Sequence, residues 1–124
     1  MILLDTTVLI DVLRGHRPAL DYLRSLDAPP ICSEVSRVEV LRGLRARERD
    51  AGEALMRAIG WVALDESIAR RAGALGRTWR RSHALATVDL VIGATTLELG
   101  AELATSNRRH FPMFPDLEPP YPSL

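Results

Sequence analysis

Three of the 16 acidic residues in this 124-residue chain stand where carboxylates do chemistry: Asp5 ends the apolar run Ile2–Leu4, Glu39 lies early in a helical stretch from Val35, and Asp89 opens another from Val88. Carboxylates placed at the carboxyl ends of parallel strands, or in the first turns of the helices beside them, share one edge of an open α/β sheet and can converge. Three that converge repel one another and call for a cation. Hard oxygen donors select Mg2+ or Mn2+ over zinc, and such ions act characteristically on phosphate esters. Each acid also has a purely architectural explanation. Asp5 before Thr6 and Thr7 suits a turn or helix cap. Ser36 and Glu39 match a capping box. Thr87 could cap the helix that has Asp89 in its positive first turn. The joint placement favours chemistry, and Gly93 and Thr96 beside Asp89 would leave room on its face of the helix.

The elements that must position these groups follow from periodicity. Strand signals fall at Ile2–Leu4, Pro30–Cys32, Trp61–Ala63 and Glu102–Thr105. Between them lie helical stretches at Thr7–Leu13, Pro18–Leu26, Val35–Ala46, Glu53–Ile59, Glu66–Arg81 and Val88–Leu99. Short strands alternating with helices predict an α/β fold with a mainly parallel sheet covered on both faces. Gly15, Gly60 and Gly100 stand where helices should stop, and the tail FPMFPDLEPPYPSL should run extended over the surface. Val35, Val38, Leu41 and Leu44, with Leu55, Met56 and Ile59, form apolar stripes that predict a partner surface.

Composition narrows the options. The length suits one domain, and no apolar run approaches the roughly 18 residues of a membrane span. No signal peptide is expected, and the single cysteine, Cys32, fits a reducing cytosol and offers no thiolate set for zinc. Formal net charge is zero, but every basic side chain is Arg and there is no Lys, which excludes P-loop and Schiff-base chemistry. Arg70, Arg71, Arg77, Arg80 and Arg81 form a stretch without acids, suited either to solvation or to bidentate phosphate contact. Trp79 beside Arg80 and Arg81 is a stacking candidate, while His83 and His110 read as surface or loop residues.

The segments ILLDTTVLIDVLRG, SRVEVLRGL and TVDLVIGATTLELGAELATSNRRHF, in that order over nearly the whole chain, resemble the PIN domain and, within it, the VapC toxins of bacterial toxin–antitoxin pairs. The resemblance implies a single PIN domain over residues 1–124, built as an α/β/α sandwich around a small, mainly parallel sheet. It further implies a cytoplasmic endoribonuclease dependent on Mg2+, with Mn2+ able to substitute, acting on RNA of the tRNA or rRNA class. A VapB-type antitoxin and usually a homodimer come with it. Asp5, Glu39 and Asp89 match the family's acidic positions, and Thr105 matches the hydroxyl residue that ends its last strand.

Asp5 and Asp89 are therefore the expected metal ligands, with Glu39 as ligand or orienting base and Thr6 and Thr105 in support. Asn107 stands where the family often has Asp, and its amide can orient water but adds no charge. Arg80, Arg81, Arg108 and Arg109 are candidates to hold RNA backbone or to line the antitoxin groove. Asp11 also matches a frequent family acid and is expected to pair with an Arg at the site's edge. Asp116, in the tail, is expected to have no catalytic part. A haloacid-dehalogenase-type phosphatase does not fit, because position 7 is Thr and no Lys is present. The remaining alternative is a catalytically silent PIN-like binding module, which the Asn at 107 favours.

Overall fold

Leu3 and Leu4 are both fully buried, yet they belong to different cores, as successive residues of a strand covered on both faces must. They lie in β1 (Ile2–Leu4), which pairs in parallel with β2 (Ile31–Ser33) on one side and β4 (Glu102–Ala104) on the other. Beyond β2 lies β3 (Gly60–Val62), giving the parallel order β3-β2-β1-β4. The chain runs outward from β1 to β3 and then returns past β1 to form β4. The order therefore reverses between β1 and β4, where open α/β sheets leave a crevice at their carboxyl ends. The computed structural model describes residues 1–122; Ser123 and Leu124, the end of the tail, lie outside the described residues.

Six helices cover the sheet: α1 (Thr6–Leu13), α2 (Arg17–Ser25), α3 (Glu34–Gly43), α4 (Arg49–Arg57), α5 (Glu66–Trp79) and α6 (Thr87–Leu99). Val8 and Leu9 of α1, Ala19 of α2, Val40 of α3 and Met56 of α4 pack with Leu4, Cys32 and Ala104 on one face. Ile92 of α6 packs with Leu3, Leu103 and Phe111 on the other, and Ile68 and Ala72 of α5 pack with Val91 and Ala94 of α6. This is the α/β/α sandwich that the resemblance implied.

Several local expectations are corrected. The N-cap of α3 is Ser33, which accepts from the Val35 amide at 3.2 Å, so Ser36 and Glu39 form no capping box. Ala86 occupies the N-cap of α6 and Thr87 does not cap it. Gly15 and Gly100 have positive φ of 75° and 59° at helix ends, as expected of glycine, whereas Gly60 starts β3. The room at Gly93 serves packing, because a Cβ there would meet Met113 Sδ at 3.4 Å. Met56 and Ile59 are buried, while Val38 and Leu41 remain 62% and 46% exposed.

The tail does more than cross the surface. Phe111 is fully buried on the α6 face, and Tyr121 is buried among the α1 and α2 side chains on the opposite face. Its hydroxyl donates to Asp11 Oδ2 at 2.6 Å, so the partner of Asp11 is a tyrosine and not an Arg. Tyr121 also packs near His16 and Tyr22, with ring centroids 5.6 and 6.0 Å away. The tail thus straps edge strand β4 from one layer to the other. Replacing Phe111 with Ala should destabilise the protein by about 3–5 kcal/mol, read as a lower urea midpoint. A loss below about 1 kcal/mol would mean that the tail does not belong to the core.

Candidate active site

Asp5 follows β1 and is the N-cap of α1, with extended backbone at φ −70° and ψ 156°. Its backbone amide donates to Ala104 O at 2.9 Å, which fixes it at the crevice between β1 and β4. Only 3% of the residue is exposed. Oδ1 accepts from the Thr6 amide at 2.8 Å; Oδ2 accepts from the Thr7 hydroxyl at 2.9 Å and the Thr105 hydroxyl at 2.6 Å. Burial raises the Asp5 pKa above its ordinary value, the three hydrogen bonds oppose that rise, and the charge of Glu39 adds to it. Asp5 is thus a helix cap that also lies at the carboxyl end of the central strand.

Glu39 lies midway along α3, and its Oε1 accepts from the Thr6 hydroxyl at 2.6 Å. The same hydroxyl lies 2.8 Å from the buried Ser36 hydroxyl, so the SRVE segment faces α1 and not its own helix start. Asp89 sits in the first turn of α6 and contacts His110 Nδ1 at 3.1 Å through Oδ2. Its pKa is raised foremost by burial, lowered by His110, and raised again by the charges of Asp5 and Glu39. Residues from three distant parts of the chain thus act on one another electrostatically at one sheet edge. Among the described residues no three His, Cys, Asp or Glu side chains close around a single point. Glu39 is instead held by Thr6 and Asp89 by His110.

Thr105, buried at the end of β4, accepts from the Asn107 amide at 3.0 Å while donating to Asp5. Asn107 precedes the short 3-10 helix Arg108–His110, and its Nδ2 lies 3.1 Å from His110 Nε2. Arg108 reaches back to the Leu117 carbonyl at 3.4 Å, and Arg109 is exposed. Arg80 and Arg81 stand exposed past the end of α5, in the connection 80–86 that leads to the turn bearing Asp89. Trp79 packs edge-on against His83, with ring centroids 5.6 Å apart. Hydrogen bonds join Asp5 to Thr6 and Thr105, Thr6 to Glu39 and Thr105 to Asn107, and Asp89 is reached through His110; among the described residues none of the four arginines forms a salt bridge with these acids. Sequence reasoning missed His110, Thr7 and Ser36. A helical-turn spacing from Asn107 to His110 was the one available signal for the histidine.

The oxygen groups here are carboxylates, hydroxyls and the Asn107 amide, a set whose chemistry suits a hard cation. Residues 2–115 match the family model described as the PIN domain. The chain belongs to the PIN domain family. Within that family its relatives are VapC ribonucleases: it is 45% identical over 125 residues to Ribonuclease VapC19 of Mycobacterium tuberculosis, covering 98% of this chain and 100% of that one. It is 43% identical over 124 residues to Ribonuclease VapC10 of the same organism, covering 98% and 93%. Among solved structures it resembles a toxin–antitoxin complex from Klebsiella pneumoniae, with TM-score 0.84 and 28% identity over 99% of this chain and 100% of that one. It also resembles VapBC-1 from nontypeable Haemophilus influenzae, with TM-score 0.76 and 25% identity over 95% and 96%.

The raised pKa of Asp5 has a definite sign in stability. As pH falls through that raised value, the native state takes up a proton that the unfolded chain binds only near the ordinary value. Metal-free stability therefore rises through this window on acidification and is lowest above it. Asp5→Asn should accordingly unfold at higher urea than the wild type at pH 7 in EDTA, with the difference shrinking as pH falls. A mutant that unfolds earlier at pH 7 would show that the three hydrogen bonds outweigh the desolvation.

Proposed function

We propose that this chain is the ribonuclease toxin of a toxin–antitoxin pair, hydrolysing phosphodiester bonds of structured RNA, of the tRNA or rRNA class, in the cytoplasm. The observation that carries this reading is the chain of contacts at the β1/β4 crevice that links Asp5 to Glu39 through Thr6 and to Asp89 through Thr105, Asn107 and His110. The VapC ribonucleases to which the chain is similar supply the reaction class.

Asp5 and Asp89 would hold a divalent ion, Mg2+ with Mn2+ able to substitute. When bound, such an ion offsets charge on the phosphoryl oxygens and lowers the pKa of water. Glu39, oriented by the Thr6 hydroxyl, accepts the proton of the attacking water. Thr105 keeps Asp5 in one rotamer, and Asn107 orients water or phosphate through its amide without adding charge. Arg80, Arg81 and Arg109 offer forked donors to the RNA backbone, and Arg108 does so once released from the Leu117 carbonyl.

The partner is a VapB-type antitoxin, as in the VapBC complex among the structural neighbours. Exposed Val38 and Leu41 on α3 supply an apolar contact for a homodimer or for that antitoxin. The Asn at 107 favours one second reading, a silent module that keeps the partner surface without cleavage. Asp89→Asn separates the two. If Asp89 is a ligand, cleavage by antitoxin-free protein should fall by orders of magnitude, the Mn2+-induced rise in melting temperature should largely vanish, and metal-free stability should hold or rise. A variant that keeps its Mn2+ shift and cuts RNA at the wild-type rate would remove Asp89 from the site. Wild-type protein without metal-dependent cleavage would leave the binding module.

A further inference from the structure

Each carboxylate of the site has a donor of its own, supplied from another element. Asp5 has the Thr7 and Thr105 hydroxyls, Glu39 has the Thr6 hydroxyl, and Asp89 has the His110 imidazole. The clamps on Asp5 and Glu39 belong to α1 and the end of β4. The clamp on Asp89 comes from the 3-10 helix Arg108–His110, with the imidazole 51% exposed and the carboxylate side chain 15% exposed. Among the described residues no other side chain is paired with Asp89, so the imidazole is its one side-chain partner.

Asn107 Nδ2 lies 3.3 Å from His110 Nδ1 and 3.1 Å from Nε2, so the amide packs against both ring nitrogens while Nδ1 faces Asp89 Oδ2 at 3.1 Å.

We propose that His110 is the positioning residue of Asp89, its ring nitrogen against Oδ2 keeping the carboxylate in one rotation for a divalent cation. The inference rests on the metal-nuclease reading above and concerns a residue that is not itself a ligand. Hydrogen-bonded partners of ligating carboxylates act on metal affinity in this way, and their loss costs about 10–100-fold.

The test is a Mn2+ titration followed by thermal melting of wild type, His110→Ala and His110→Asn, alongside single-turnover cleavage of a structured RNA. The Ala variant should need about 10–100-fold more Mn2+ for half of its melting shift, while its melting in EDTA stays close to wild type because the ring is half exposed. At subsaturating Mn2+ its cleavage rate should fall without a matching rise in the RNA concentration for half-saturation. The Asn variant, which retains a donor at similar reach, should recover most of the Mn2+ affinity. An Ala variant with the wild-type Mn2+ midpoint overturns the assignment. So does a lower midpoint, which would make the imidazole a competitor of the ion. A wild-type protein with no Mn2+ shift overturns the metal reading and this inference together, whereas a wild-type shift that His110→Ala leaves intact overturns this inference alone.

Discussion

Burial of the Asp5 carboxylate at the end of the central strand is the constraint on which the rest of the arrangement depends. A carboxylate 3% exposed is costly unless its lone pairs are met, and here the donors come from the start of α1 and the end of β4. Meeting them fixes several things at once. Thr7 and Thr105 must face one oxygen, so α1 and β4 are held in register across the crevice. Thr6, turned to the other side, is then free to reach Glu39 and Ser36 on α3. Thr105 in turn takes the Asn107 amide, which sets the path of the chain toward His110. One buried charge therefore organises four segments.

Much of this was legible in the sequence where the signal is local. Leu3, Leu4 and Asp5 read correctly as a buried strand ending in a carboxylate at the sheet edge, because a strand covered on both faces is apolar without alternation and a charge at its end stands out. The strand and helix stretches agree with the structure to within a few residues. Glu39 was legible as an acid near the crevice, but its local explanation was not, because SRVE looks like a cap only if the helix begins at Ser36. The helix begins at Glu34, since Ser33 ends β2 and caps it. His110 was not legible, because its meaning lies in a contact with Asp89, far away in sequence, that no periodicity reports. The Tyr121 contact with Asp11 was hidden for the same reason, and the prolines around it read only as a tail.

That tail explains why a sheet of such short strands holds its edge. An edge strand offers unpaired backbone groups to any passing chain and is normally covered or blunted. Here the segment after β4 inserts Phe111 and Met113 against the α6 layer and Tyr121 against α1 and α2. The strap begins at Thr105, Asn107 and His110, so the segment that closes the edge also furnishes hydrogen bonds to Asp5 and Asp89. Edge protection and site geometry are therefore coupled through one stretch of chain.

Charge distribution completes the argument. The chain is neutral overall and depends on Arg and not Lys for positive charge, and the arginines that do pair, such as Arg14 with Glu48, Arg70 with Glu66 and Arg71 with Glu98, pair with other acids. No arginine among the described residues forms a salt bridge with Asp5, Glu39 or Asp89. Among the described residues the imidazole of His110, 3.1 Å from Asp89 Oδ2, is the one basic side chain paired with any of them. A cluster of carboxylates left without a strong internal cation destabilises the metal-free protein and binds an external cation well, because the same repulsion that disfavours the empty site is relieved on binding. An arginine in the crevice would neutralise the cluster permanently and make the chain more stable, at the expense of that affinity. With no arginine among the described residues paired to Asp5, Glu39 or Asp89, the negative field of these acids is left without an internal guanidinium.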